Sequence, residues 1–210
     1  MGKTTQCRLL QERLEALGWE VVPLREPTHG PWGQKIREAA RTDTRPDPQT
    51  EAEWFMHDRR EDVEQNIRPA LADGKVVILD RYFYSTAAYQ GARNVDVDWI
   101  LEANREFAPE PNVCIVLLGD VEKALQRVSE LRGDTPDAFE TAEYQRRVVA
   151  VFRDLLGRED CDLVEVDADR SITEVAVAVW AAVTTSSCLA SGGASEPRYR
   201  KPPNSLAVPT

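Results

Sequence analysis

Four short apolar runs decide what this chain can fold into: residues 20–24 (EVVPL), 75–79 (KVVIL), 112–118 (NVCIVLL) and 162–166 (DLVEV). The second and third are apolar at nearly every position and bounded by turn residues. That is the pattern of a strand covered on both faces, as in a parallel sheet. Helical patterns fill the intervals. Residues 5–17 lack Gly and Pro and carry Leu9, Leu10, Leu14 and Leu17 at helical spacing, with Gly18 placed to end the helix. A helix is predicted over 32–41. A longer one opens at a Thr50–Glu53 capping box, with Pro69 bending its last turns and Gly74 closing it. Further helices are predicted over 85–90, 96–107, 121–131 and 143–156, and one from the Ser171–Glu174 capping box to Thr184. Strands alternating with helices give an α/β fold, a parallel sheet with helices on both faces. Residues 1–185 form one domain in this reading. Residues 186–210, rich in Ser, Gly and Pro, form a disordered tail.

A formal charge of −10 argues against nucleic acid as a partner. No apolar run reaches the length of a membrane span, and no signal peptide opens the chain. Cys7, Cys114, Cys161 and Cys188 are far apart, without a C-x-x-C pair, and read as free thiols in a reducing compartment. The expectation is a cytoplasmic protein.

Gly2, Lys3 and Thr4 match the second half of the phosphate-loop pattern G-x-x-x-x-G-K-[ST], which lies between a strand and a helix. Gly2 lets the backbone approach a phosphate, Lys3 would reach its oxygens, and the Thr4 hydroxyl would hold Mg²⁺. Alone, half a motif leaves the functional and the incidental reading about equal. Two more charged clusters follow strands, Arg25-Glu26 after Leu24 and Asp80-Arg81 after Leu79. Ligands of open α/β sheets bind beyond the C-terminal strand ends. The guanidinium forks of Arg25 and Arg81 suit phosphate oxygens, and Asp80 is a candidate carboxylate near Mg²⁺.

With these stretches in view, the sequence resembles the thymidylate kinases, which phosphorylate dTMP. The matching segments are GKTTQ (2–6), LREP (24–27), FMHDR (55–59), RPALADGK (68–75) and LDRYFYSTAAYQGAR (79–93). The resemblance implies a three-layer P-loop kinase fold with a central parallel sheet, ATP and dTMP as substrates, Mg²⁺ as cofactor and a homodimer. It implies that Gly2, Lys3, Thr4 and Thr5 bind ATP, with Arg127 and Arg132 bordering a lid over about residues 132–142. It implies catalytic roles for Lys3, Arg25, Asp80 and Arg81, and metal binding by Thr4 and Asp80. Arg25 and Arg81 would hold the substrate phosphate. Phe55 would stack on thymine and Arg59 would contact the base or phosphate. Ser85, Tyr89 and Gln90 would wall the thymidine pocket, with Tyr89 crowding a 2′-hydroxyl.

From the residues alone, Phe55 is more often a core residue, and the charged run at 58–62 is more often a solvated face. The chain also departs from the family pattern. The family pattern has a strand and the first half of the loop before Gly2, so the expectation is either a true start upstream of Met1 or a fragment, and the chain as written is expected to be weakly stable and weakly active. The lid has Ala138 where many relatives carry arginine, and the loop after Pro27 reads Thr28-His29-Gly30. Two other readings are another nucleoside monophosphate kinase and an inactive nucleotide-binding fragment.

Overall fold

The computed structural model describes residues 2–42, 44–132 and 142–186. The sequence of elements is α1 (Lys3–Ala16), β1 (Val21–Arg25), α2 (Pro31–Arg41), α3 (Pro48–Asp62), a π-helical turn (Val63–Ile67), α4 (Arg68–Ala72), β2 (Val76–Asp80), α5 (Phe83–Gly91), α6 (Val97–Arg105), β3 (Cys114–Leu118), α7 (Val121–Arg132), α8 (Ala142–Leu156), β4 (Leu163–Asp167) and α9 (Ile172–Thr185). All four predicted strands form; β1, β2 and β4 are shifted one residue toward the C-terminus, and β3 starts two residues later with the same end. Arg25 and Asp80 are therefore the last residues of β1 and β2, not the first of the following loops. Of the expected lid over about 132–142, residues 133–141 lie outside the described residues, as do 187–210 of the expected tail over 186–210.

The strands are parallel, as predicted, but they do not form one sheet. β1 pairs with β2 and β3 pairs with β4, and no ladder joins the two pairs among the described residues. Helices cover both faces. On one face Leu10 of α1, Ile115 and Leu117 of β3, Val166 of β4 and Val175 of α9 form a cluster. On the other, Val77 and Leu79 of β2, Cys114 of β3 and Leu163 of β4 pack with Phe83, Ile100, Leu101 and Leu155. Alternate residues of β3 thus serve opposite faces, as a two-residue strand period requires.

The long helix predicted from Thr50 to Gly74 differs from its prediction at its start and in its last turns. Its cap is Asp47, whose carboxylate accepts from the Gln49 and Thr50 amides, and Pro48 takes the first helical position, where no N–H is needed. The predicted bend is a π-turn just ahead of Pro69. The ring cannot fit against the carbonyl four residues back and has no N–H to give it, so the helix widens by one residue there. The Ser171–Glu174 capping box is present as predicted. So is the stop at Gly18, which adopts φ 87° while the Gly18 and Trp19 amides close back on Glu15 and Leu14.

Candidate active site

The head of α1 begins on Gly2 in the left-handed region (φ 54°), with no side chain capping its amides and no acidic residue in its first turn. The positive end of the helix is therefore presented outward, as an anion requires. The Thr4 hydroxyl donates to Asp80 Oδ2 at 2.7 Å, tying this helix head to the C-terminal end of β2. In the β1–β2 ladder Arg25 lies directly opposite Asp80, and the Glu26 amide donates to the Asp80 carbonyl. Arg25 and Arg81 consequently share one rim of the sheet.

The rim is cationic. Burial, with Arg81 and Arg25 nearby, holds the Lys3 ammonium below its usual pKa, against the opposing pull of Tyr89 and Asp80. The Arg81 guanidinium lies 5.0 Å from the centre of the Tyr89 ring. Burial pushes the Tyr89 phenol up, but Arg81 and Lys3 outweigh it and the net direction is down. Arg81 adopts φ 77°, a conformation rare for a residue with a side chain. Such strain recurs where side chains are aimed at ligands. Three cations held this close repel one another, and a bound phosphate relieves that repulsion.

Thr4 and Asp80 were the expected Mg²⁺ residues, and their oxygens meet. A hydroxyl and a carboxylate are hard donors that suit Mg²⁺, which takes one or two protein ligands and completes its shell with phosphate and water. Among the described residues no cluster of three His, Cys, Asp or Glu could hold a metal by itself.

A family model described as thymidylate kinase matches residues 1–179. The thymidylate kinase of Xanthomonas campestris pv. campestris is 43% identical over 184 residues, 87% of this chain and 79% of that protein. That of Desulfotalea psychrophila is 42% identical over 154 residues, 73% of this chain and 76% of the relative. That of Xylella fastidiosa is 48% identical over 153 residues, covering 72% and 71%. The chain belongs to the thymidylate kinase family.

In this thymidylate kinase family member the expected site residues separate into two groups. Lys3, Asp80, Arg81, Ser85 and Tyr89 line one cavity, with Thr4 and Arg25 at its rim through Asp80. Phe55, Arg59 and Gln90 do not line it. Phe55 is half-buried and joins none of the hydrophobic clusters of the described residues, which departs from the core reading. Gln90 is buried and donates to Glu51 at 3.2 Å, and Glu51 also pairs with Arg93. The side chains of Arg127 and Arg132 lie outside the described residues.

Arg59 is 1% exposed, and its donors are engaged by the protein. Nε and Nη2 grip the Glu26 carboxylate at 2.9 and 2.5 Å, Nη1 reaches Asn104 Oδ1 at 2.7 Å, and Nη2 also reaches Thr86 Oγ1 at 3.1 Å. Asp58, one residue earlier, accepts from the amide and hydroxyl of Thr28. The run 58–62, read from its charge as a solvated face, therefore buries Asp58, Arg59 and Asp62. It joins α3 to the loop after β1. Thr86 and Asn104 escaped the sequence reading, and Glu26 and Asp58, noted there only within charged runs, were not foreseen as the partners of Arg59 and Thr28. Single polar residues on separate helices carry no pattern until the helices pack, although Glu26 within LREP was a signal that could have been weighed.

If Thr4 and Asp80 hold the metal, removing one oxygen donor should weaken Mg²⁺-nucleotide more than free nucleotide. For Thr4→Val the expected loss is about tenfold for Mg·ATP, from about 1.4 kcal/mol for one polar contact, with little change for ATP in EDTA. Fluorescent-nucleotide titration with and without Mg²⁺ measures it. Equal losses in both conditions would remove Thr4 from the metal site.

Proposed function

We propose that this chain transfers the γ-phosphoryl group of ATP to dTMP, giving dTDP and ADP. The observation that supports this most directly is the rim where Lys3, Arg25 and Arg81 gather around the Thr4–Asp80 contact, beside Tyr89. Membership of the thymidylate kinase family supports the acceptor.

The acceptor is already a phosphate anion, so the protein needs no strong general base. Its task is to hold two anions in line and offset the charge that builds as the phosphoryl group moves. Lys3 and the amides at the head of α1 hold the donor phosphates. Arg25 and Arg81 hold the acceptor phosphate from the ends of two paired strands, which fixes their separation. Thr4 and Asp80 would hold Mg²⁺, which would supply positive charge to offset that of the phosphates. Tyr89, fixed by Arg81 on one side and by the Tyr144 hydroxyl on its carbonyl, borders the ribose and disfavours a 2′-hydroxyl. Phe55 stacks on the base, and Arg59 supports the base pocket from beneath through Glu26, Thr86 and Asn104. Residues 132–142 close as a lid that excludes water, with Arg127 and Arg132 at its borders. The chain works as a cytoplasmic homodimer in this reading. No helix among the described residues is long and apolar enough to cross a membrane.

A coupled assay of ADP release with dTMP, dUMP, dCMP and UMP as acceptors tests the assignment. The expected order of kcat/KM places dTMP first, with UMP below dUMP because of Tyr89. A preference for a cytidine nucleotide would overturn it.

A further inference from the structure

The C-terminal end of α5 is closed by a side chain from another helix. The amides of Ala92, Arg93, Asn94 and Val95 turn back on the carbonyls of Ala88, Gln90, Gly91 and again Gln90. None of these four bonds serves the Tyr89 carbonyl. The last carbonyls of a helix need partners from outside its own ladder. The hydroxyl of Tyr144, in the first turn of α8, meets that need by donating to the Tyr89 carbonyl oxygen at 2.8 Å.

Tyr144 also meets Tyr89 through its ring. The ring centres are 6.3 Å apart with planes at 68°, an edge-to-face contact. Tyr144 is buried and packs with Ala88, Ala92 and Val148. The seam around the end of α5 is tight. A Cβ added at Gly91 would stand 2.7 Å from Val97 of α6 and 3.4 Å from Val151 of α8. The Arg81 guanidinium lies over the Tyr89 ring at 5.0 Å. Tyr89 is therefore held at three places: its carbonyl and its ring by Tyr144, and its ring again by Arg81.

We propose that Tyr144 is a positioning residue for the sugar end of the acceptor site: its hydroxyl completes α5 from outside and fixes the Tyr89 ring under Arg81. This role rests on the reading in which Tyr89 borders the ribose, and it adds what makes that wall rigid. A 2′-hydroxyl is refused by a clash, and a clash discriminates only where the wall cannot swing aside. A tyrosine ring turns about two single bonds, so backbone and ring both need fixing. Tyr144 supplies both contacts from α8 without lining the cavity that Tyr89 lines. Selectivity against a ribonucleotide thus depends on a hydroxyl outside the pocket. Phenylalanine at this position would keep the ring contact, leave the Tyr89 carbonyl without that donor, and let the end of α5 relax.

The test compares the full 210-residue chain with Tyr144→Phe, which removes only the hydroxyl, and with Val151→Ala, which loosens the same seam and leaves that bond in place. Selectivity is read as kcat/KM for dUMP over kcat/KM for UMP. Tyr144→Phe is expected to shrink this ratio about three- to tenfold, the range of one neutral hydrogen bond. Val151→Ala should lower the thermal midpoint and leave the ratio as it is. A second readout needs no nucleotide. Tyrosines are labelled with carbon-13 at Cζ, and the Tyr89 signal is identified by its loss in Tyr89→Phe. That signal should move in Tyr144→Phe and stay in Val151→Ala. The lost bond is at the Tyr89 carbonyl, so a change at the phenol end reports a displaced ring. An unchanged ratio in Tyr144→Phe, or a Tyr89 signal that stays in place, would overturn the proposal. So would an equal narrowing of the ratio by Val151→Ala, which would make Tyr144 ordinary packing. A parent chain that takes UMP as readily as dUMP would overturn the ribose placement of Tyr89 instead, and the carbon signal then decides the role of Tyr144 alone.

Discussion

Glu26→Ala is expected to lower folding stability by about 3–5 kcal/mol, the cost of stripping the partner from a buried charge. Glu26 is 2% exposed and Arg59 1%. The pair is bidentate, with Asn104 and Thr86 taking the remaining guanidinium donors. Alanine would leave a guanidinium in the interior facing Asn104 and Thr86, neither of which offsets a charge. Burial raises the Glu26 pKa, and the Arg59 guanidinium lowers it; the balance is a carboxyl pushed up to about 7. The pair thus carries a desolvation cost that its hydrogen bonds offset. Removing both charges should hurt less than removing one, so Glu26→Ala with Arg59→Leu is expected to be more stable than Glu26→Ala alone. Urea unfolding at constant m-value measures both variants. A loss below about 1 kcal/mol for Glu26→Ala would show that the pair does not hold α3 to the loop after β1.

Arg81→Ala is expected to weaken dTMP binding by about 2–3 kcal/mol, roughly 30–150-fold, the worth of a charge-assisted fork on a phosphate. Thymidine, which has no phosphate, should bind the variant and the parent alike. Titration calorimetry with the two ligands separates loss of the phosphate contact from damage to the pocket. The control matters because Arg81 also lies over Tyr89. Alanine at φ 77° keeps the backbone strain that arginine already bears, so the comparison isolates the side chain. Arg81→Lys should fall between the two, retaining the charge without the planar fork. If thymidine binding falls as far as dTMP binding, Arg81 acts by shaping the pocket rather than by holding phosphate.

The parts of this molecule that repeat along the chain were legible before any coordinates. KVVIL and NVCIVLL became β2 and β3 because an unbroken apolar run of that length has few other ways to satisfy both its side chains and its backbone. The capping box at Ser171 and the stop at Gly18 depend on neighbours in sequence, and both formed. The start of α3 was misplaced by a few residues because Asp47-Pro48 and Thr50–Glu53 are competing caps, and proline at the first turn favours the former. The rim was half legible. Charged residues just past two apolar runs must lie at the same sheet edge if those strands are parallel neighbours, as Arg25 and Asp80 are.

What the sequence determined by itself is local: which segments are strands and helices, that the strands run parallel, and that the charged side chains of Arg25, Asp80 and Arg81 stand at the C-terminal ends of two of them. Each follows from periodicity, caps and turn residues within a few positions of one another. What only the tertiary structure decided is pairing. It separated the strands into two sheets with a cavity between them. It drew Arg59 away from solvent onto Glu26, Thr86 and Asn104, and left Gln6 Oε1 without a donor. The reason is physical: whether a polar group is exposed, paired or orphaned depends on groups dozens of residues away, and a one-dimensional pattern carries no record of those distances.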